Sequence, residues 1–172
     1  ETGYYSFENM LSMVYDLDFK VIEDNPFTGI IEKFEKMDDK SSIKIEDELD
    51  KFYYSYSLEL AKKIKSKFLV KLIELKITLL NVKNLIRLKE EGGEFHFLRN
   101  YLLSDSFFDE SFYLSMWDTD SGSYANLFLK EDWYHLVKPV FEEYSRNGSL
   151  SIIEREFDNM YLVGGGTHPG SG

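Results

Sequence analysis

The run from Ile43 to Glu90 constrains the fold of this chain more than any other part, because it contains neither proline nor glycine. It is rich in Leu, Ile, Lys and Glu, which are strong helix formers. Its apolar residues recur at alternating steps of three and four positions, the spacing that places side chains along one side of a helix. This apolar seam consists of Ile45, Leu49, Phe52, Tyr56, Leu60 and Ile64, followed by Phe68, Leu72, Leu75, Leu79, Val82 and Ile86.

One unbroken helix over this run would be about 70 Å long at roughly 1.5 Å per residue, which is too long for a compact domain of 172 residues. Charged residues interrupt the apolar pattern at Lys65–Lys67. We therefore predict a break there, with helices near Ser42–Ile64 and Phe68–Glu91 packed as an antiparallel hairpin. The side chains expected to face inward are Phe68, Leu72, Leu75, Leu79 and Val82.

Helix signals recur along the rest of the chain, and strand signals are nearly absent. Capping residues, glycines and turns mark where the helices begin and end. Shorter helices are predicted over Ser6–Leu17, Thr28–Met37, Phe97–Leu103, Asp105–Trp117, Tyr124–Leu129, Trp133–Tyr144 and Ile152–Val163. The sequence therefore predicts an all-α fold.

A ten-residue segment that begins at Ile45 returns 108 positions later, at Ile153, with five of ten residues identical. Upstream elements recur in the same order, which indicates tandem helical modules, each with a long hairpin and several short helices. We expect a complete module over residues 4–103 and a partial second module over 104–163. Residues 1–3 are expected to be left from cloning, and the Gly-rich residues 164–172 to be a linker or tag.

The net charge of −11 disfavours nucleic-acid binding, because a nucleic-acid binder needs positive surface to displace counterions. The charge is uneven, since ten of the 20 Lys and Arg residues fall between Lys51 and Lys89. This basic strip is ordinarily a solvated helix face. The alternative is that it faces an acidic partner, and Lys62, Lys63 and Lys67 are then the possible partner-facing residues.

Motifs of enzymes and metal sites are missing. The histidines His96, His135 and His168 lack the spacing of metal ligands, and the chain has no cysteine. A stretch from Asp118 begins like a calcium loop but has Leu129 where a bidentate Glu is required. We therefore expect no catalytic residue, no metal and no cofactor. No apolar run approaches the roughly 20 residues of a membrane span.

Two sets of residues carry a resemblance to a known family. Glu46, Asp50 and Tyr53 on the first predicted helix, with Asn81, Arg87 and Lys89 on the second, resemble the repeat signature of the C subunit of archaeal and bacterial A/V-type rotary ATPases, equivalent to the eukaryotic d subunit. The family carries three such modules, and about one and a half are expected here. Thr78 stands where the family has Asp.

The resemblance implies a non-catalytic socket that couples the rotor shaft to the membrane rotor ring in proton or sodium transport. Its partners would be the shaft subunits and the ring, and its place would be cytoplasmic, peripheral on the inner face of the membrane. The six signature residues would be structural, holding packed helices in register.

Other interpretations stay open. A free-standing helical adaptor would show the same amphipathic helices. An enzyme that uses the many carboxylates is a third possibility, but the sequence shows no arrangement of catalytic residues that supports it. The last helix, Ile152–Val163, carries apolar residues that would dock on the first module, pair with a second copy to give a homodimer induced by truncation, or leave the helix frayed. Docking or pairing is expected over fraying, because Phe157 and Tyr161 are large apolar side chains.

Overall fold

The computed structural model describes residues 28–38 and 42–163. Every regular element in these ranges is a helix, which confirms the all-α prediction. The elements are α1 Thr28–Lys36, α2 Ser42–Lys63, α3 Lys67–Glu90, α4 Phe95–Tyr101, α5 Glu110–Trp117, a 3₁₀ helix Ser121–Phe128, α6 Tyr134–Asn147 and α7 Leu150–Val163. The predicted helix Ser6–Leu17 and the segments 1–3 and 164–172 lie outside the described residues.

The chain forms two compact units, which divide between Tyr53 and Tyr54. The first contains α1, and in it Lys33 forms an ion pair with Glu48. The second contains α3 to α7 and all of the main hydrophobic core. The module boundary that the repeat predicts between residues 103 and 104 falls inside this second unit.

The predicted break between α2 and α3 is confirmed. Lys65 adopts a left-handed conformation with φ of 56°, which ends the path of α2. Ser66 then caps α3, since its side chain accepts a hydrogen bond from the Leu69 amide at 3.3 Å. A serine at this position satisfies one of the four amides that a helix N-terminus leaves unbonded.

Within the second unit, α3 packs against α4, α5 and α7. That α2 and α3 pack as an antiparallel hairpin stays a prediction. Of the side chains predicted to face inward, Leu79 and Val82 are buried, Leu72 and Leu75 are half-buried, and Phe68 is 41% exposed. The spacing determines which face of a helix is apolar but not which helix covers it, and α7 carries the same seam as α2.

Aromatic side chains from three elements form the centre of the second unit. Phe128 of the 3₁₀ helix stacks on Phe141 of α6, and Phe157 of α7 meets the edge of the same Phe141 ring. All three rings are at most 1% exposed. Edge-to-face and offset contacts of this kind add to the stabilisation that burial alone provides.

The turn between α6 and α7 makes these two helices antiparallel neighbours. Gly148 ends α6 with φ of 63°, a conformation that glycine adopts at little cost. Ile152 and Ile153, in the first turn of α7, are then buried. The last described turn of α7 consequently lies beside the first turn of α6.

Candidate functional site

Asn81 on α3 is fully buried and makes three hydrogen bonds. Its Nδ2 donates to the Leu103 carbonyl at 3.0 Å and to the Tyr113 hydroxyl at 3.3 Å. Its Oδ1 accepts from the Leu103 amide at 2.8 Å. One side chain thus satisfies both backbone groups of a buried residue in the loop after α4, which holds that loop against α3.

Thr78, one turn before Asn81, is also fully buried. Its hydroxyl donates to the Glu74 carbonyl at 2.7 Å and accepts from the Phe107 amide at 2.9 Å. A hydroxyl can donate and accept at once, whereas an ionised carboxylate only accepts. An ionised carboxylate at this position would leave the Glu74 carbonyl without a donor, whereas threonine satisfies both contacts.

Arg87 and Lys89, at the other end of α3, reach two further elements. Arg87 pairs with Glu154 of α7, which is the repeat counterpart of Glu46. Lys89 donates to the carbonyls of Trp117 and Thr119 at the end of α5, the second at 2.8 Å. A cation at a helix C-terminus is favourable because the carbonyls there carry partial negative charge.

The remaining signature residues belong to the first unit. Asp50 and Tyr53 are exposed, with Tyr53 56% accessible, and the side chain of Glu46 lies outside what the structure describes. The structure therefore brings Arg87 together with the counterpart of Glu46, and Asn81 and Lys89 with α5 and the loops at its two ends. That all six residues are a structural signature stays a prediction.

The three lysines predicted to face a partner are exposed around the corner between α2 and α3. Lys62 lies 3.7 Å from an Asp105 carboxylate oxygen, and Lys63 lies 2.7 Å from one of Glu59. Exposed pairs of this kind contribute about 0–1 kcal/mol and are easily exchanged. Lys67 forms no ion pair with the described residues, so the corner keeps positive charge that a partner could meet.

Sequence reasoning did not single out three tyrosines of the second unit. Burial raises the pKa of the Tyr113, Tyr124 and Tyr144 hydroxyls. The Tyr144 hydroxyl also donates to Glu90 at 2.6 Å. Its pKa is raised further because deprotonation would place a negative tyrosinate beside that carboxylate. Their aromatic type and position on apolar helix faces indicated burial, but the partner of each hydroxyl depends on the packing of distant elements.

We expect these tyrosines to make the fold sensitive to alkaline pH. Below the ordinary tyrosine pKa of about 10 both folded and unfolded chains keep the protons, so the stabilisation is complete. Above it the unfolded chain loses protons that the folded chain retains, and stability falls by up to about 1.4 kcal/mol per pH unit for each tyrosine until the pKa of that tyrosine in the folded chain is reached. Urea unfolding at pH 9 to 11 measures the slope, which Tyr144→Phe should reduce by the contribution of one proton. An unchanged slope in this variant would contradict the assignment to Tyr144.

Residues 28–38 and 42–163 contain no group of three or more His, Asp or Glu side chains that could hold a metal ion. None of the helices in these ranges combines the length and the apolar character needed to cross a membrane.

Comparison with known families gives one match. A family model described as ATP synthase (C/AC39) subunit matches residues 14–164. This range includes α1 to α7, and so both copies of the internal repeat. No curated protein and no solved structure matches the chain.

Proposed function

The chain belongs to the ATP synthase (C/AC39) subunit family, and from this membership we propose that it is a non-catalytic socket between the rotor shaft and the membrane rotor ring of a V/A-type ATPase. In this role it couples shaft rotation to the movement of protons or sodium ions. It lies on the cytoplasmic side and reaches the membrane only through protein partners. The observation that carries the proposal is the family match over residues 14–164.

The way α3 is fixed supports a mechanical role. Asn81, Arg87 and Lys89 tie three successive parts of one helix to the loop after α4, to α7 and to the end of α5. The Asn81 contact is buried and the Lys89 contact part-buried, and contacts of this kind fix the register of packed helices, because sliding one helix would leave them unsatisfied. A subunit that transmits torque needs this resistance to sliding.

The exposed lysines at the α2–α3 corner are the surface through which we propose that the socket meets an acidic partner. Lys62 and Lys67 are both exposed, and the net charge of −11 makes a local positive surface distinctive. Charges at the rim of an interface act mainly on the rate of encounter. Their effect is screened beyond about 8 Å at physiological ionic strength.

Charge reversal at this corner tests the proposal. The double variant Lys62→Glu, Lys67→Glu should associate about tenfold more slowly with the isolated shaft and ring subunits at low salt, and the difference should shrink as salt is added. The matched control is Lys130→Glu, Lys138→Glu, which makes the same change in net charge at exposed positions far along the chain. Association and dissociation rates are measured by surface plasmon resonance on the immobilised shaft–ring complex.

Three results are distinguishable. Slower association in the corner variant alone supports both the socket and the corner. Equal effects of both double variants would show that the corner lysines belong to a solvated helix face, and would not contradict the socket proposal. Absence of any saturable binding by the unmodified chain, at micromolar concentration, would contradict the socket itself.

A further inference from the structure

An open groove of about 350 Å³ lies between the first half of α3 and the start of α6. Leu72 and Leu75 line it on the α3 side, and Trp133 and Leu136 line it on the α6 side. All four side chains are only half-buried, whereas Leu79, one turn after Leu75 on the same face of α3, is buried. Apolar side chains that stay partly exposed in one continuous patch are typical of a surface that binds a partner.

The two sides of the groove carry opposite charge. Lys71 lies on the α3 side, and Lys67, one turn earlier on the same face, extends this positive edge. Glu131 and Asp132 lie on the other side, directly before α6. None of these four side chains forms an ion pair with the described residues. A partner with matching charges would therefore gain ion pairs without breaking any that the described residues form.

The shape of the groove fits a helical partner. Amphipathic helices bind grooves between helices by inserting apolar side chains that are spaced three and four residues apart. Phe107 also lines the groove and stacks on Trp133, with ring centres 6.1 Å apart, which gives those side chains a flat apolar surface to pack on. Because the two sides of the groove differ in charge, the helix that matches them carries opposite charges on its two flanks.

We propose that the groove binds an amphipathic helix of a partner protein, with acidic residues along the flank that faces α3 and basic residues along the flank that faces Glu131 and Asp132. The apolar stripe of this helix packs on Leu72, Leu75 and Trp133. The inference goes beyond the proposed function, because it defines a binding chemistry that does not depend on a role in the rotary motor.

Synthetic peptides test this chemistry on the whole chain. The probe is an alanine-based helical peptide of about 15 residues, with a leucine stripe, glutamates along one flank and arginines along the other. Two control peptides keep the leucine stripe but carry glutamates on both flanks or arginines on both flanks. We expect the probe to bind saturably, and about tenfold more tightly than either control, in fluorescence anisotropy titrations at low salt.

The emission of Trp133 locates the bound peptide. The chain has two tryptophans, and the other, Trp117, packs against Phe95 and does not line the groove. Binding of the probe should shift the tryptophan emission to shorter wavelength, because the helix shields Trp133 from water. In Trp133→Phe the shift should disappear while most of the binding is kept. A shift that persists in this variant would place the peptide elsewhere and overturn the proposal.

Charge reversal on one side of the groove should change which peptide is preferred. In the double variant Glu131→Lys, Asp132→Lys both sides are positive, so the peptide with glutamates on both flanks should bind about tenfold more tightly than the probe. The matched control is Glu91→Lys, Asp118→Lys, which makes the same change in net charge at exposed positions outside the groove. We expect this control to keep the preference of the unmodified chain.

Three other outcomes contradict the proposal. Equal affinity for all three peptides would show that apolar contact alone is responsible. An unchanged preference after Glu131→Lys, Asp132→Lys would show that these carboxylates do not face the bound helix. Self-association of the chain in light scattering, reversed by the probe, would show that the groove is filled by a second copy. None of these results bears on the socket, because the shaft and ring subunits are not part of the assay.

Discussion

Replacing Asn81 with leucine should lower the free energy of unfolding by about 3–5 kcal/mol. The substitution leaves the amide and carbonyl of Leu103 and the hydroxyl of Tyr113 without their partner, in a region where all three residues are buried. Each buried polar group that loses its hydrogen bond costs about 1–3 kcal/mol. Urea unfolding followed by circular dichroism measures the change as a shift in midpoint at constant slope.

The matched control is Asn84→Leu, on the same helix one turn later. Asn84 is only partly buried and makes no side-chain hydrogen bond with the described residues. We expect its substitution to change stability by less than about 0.5 kcal/mol. A loss below about 1 kcal/mol for Asn81→Leu would show that water or a shift of the 102–109 loop satisfies the orphaned groups, and that Asn81 does not fix this loop.

Phe157→Ala should destabilise the second unit by about 3–5 kcal/mol, the range for removal of a buried aromatic ring. Phe157 is 1% exposed and meets the edge of the Phe141 ring, with centres 5.9 Å apart. Its removal leaves a cavity at the point where α7 holds α6 and α3 together. Scanning calorimetry measures the loss, and amide exchange of α7 should show it locally.

Asn159→Ala on the same helix is the control for this prediction. Asn159 is exposed, and we expect a change within about 0.5 kcal/mol. Equal stability of the Phe157 variant and the unmodified chain would mean that α7 does not dock on the core in solution. In that case the apolar face of α7 would be expected to pair with a second copy, which light scattering would detect. That homodimer remains a prediction.

The sequence predicted the class of the fold and the position of the main break because both depend on local features. The absence of Pro and Gly from Ile43 to Glu90 and the charged interruption at Lys65–Lys67 are readable without knowing any contact. The resemblance to the C subunit of rotary ATPases, which rested on two short signatures, is confirmed by the family match over residues 14–164.

The partners of α3 were beyond local reasoning. Periodicity identified its apolar face, but α2 and α7 carry the same seam, so the spacing could not indicate that α7 packs against it. The structure pairs α3 with α7. Carbonyl partners such as those of Lys89 and Thr78 belong to loops whose paths depend on the whole unit, so no motif could have indicated them.

The start of α5 also depended on contacts that local sequence does not reveal. A helix was predicted from Asp105, but α5 begins at Glu110, because Asp109 accepts hydrogen bonds from the amides of Ser111 and Phe112 and so caps the helix. Phe107 instead bonds to the hydroxyl of Thr78 on α3. The helix therefore begins later in the sequence than local propensity alone predicts, because the Phe107 amide is used in a tertiary hydrogen bond.

The pairing of α3 with α7 has a consequence for synthesis on the ribosome. The ion pair between Arg87 and Glu154 joins residues that are 67 positions apart. The packing of α3 therefore cannot be completed until α7 has been synthesised. Contacts of such separation are formed late, because the loop between them must first be closed. Until Phe157 has emerged, the nascent chain presents the apolar side of α3 to its surroundings, where chaperones recognise exposed apolar segments. We therefore expect ribosome-bound chains that end before α7 to be open to protease.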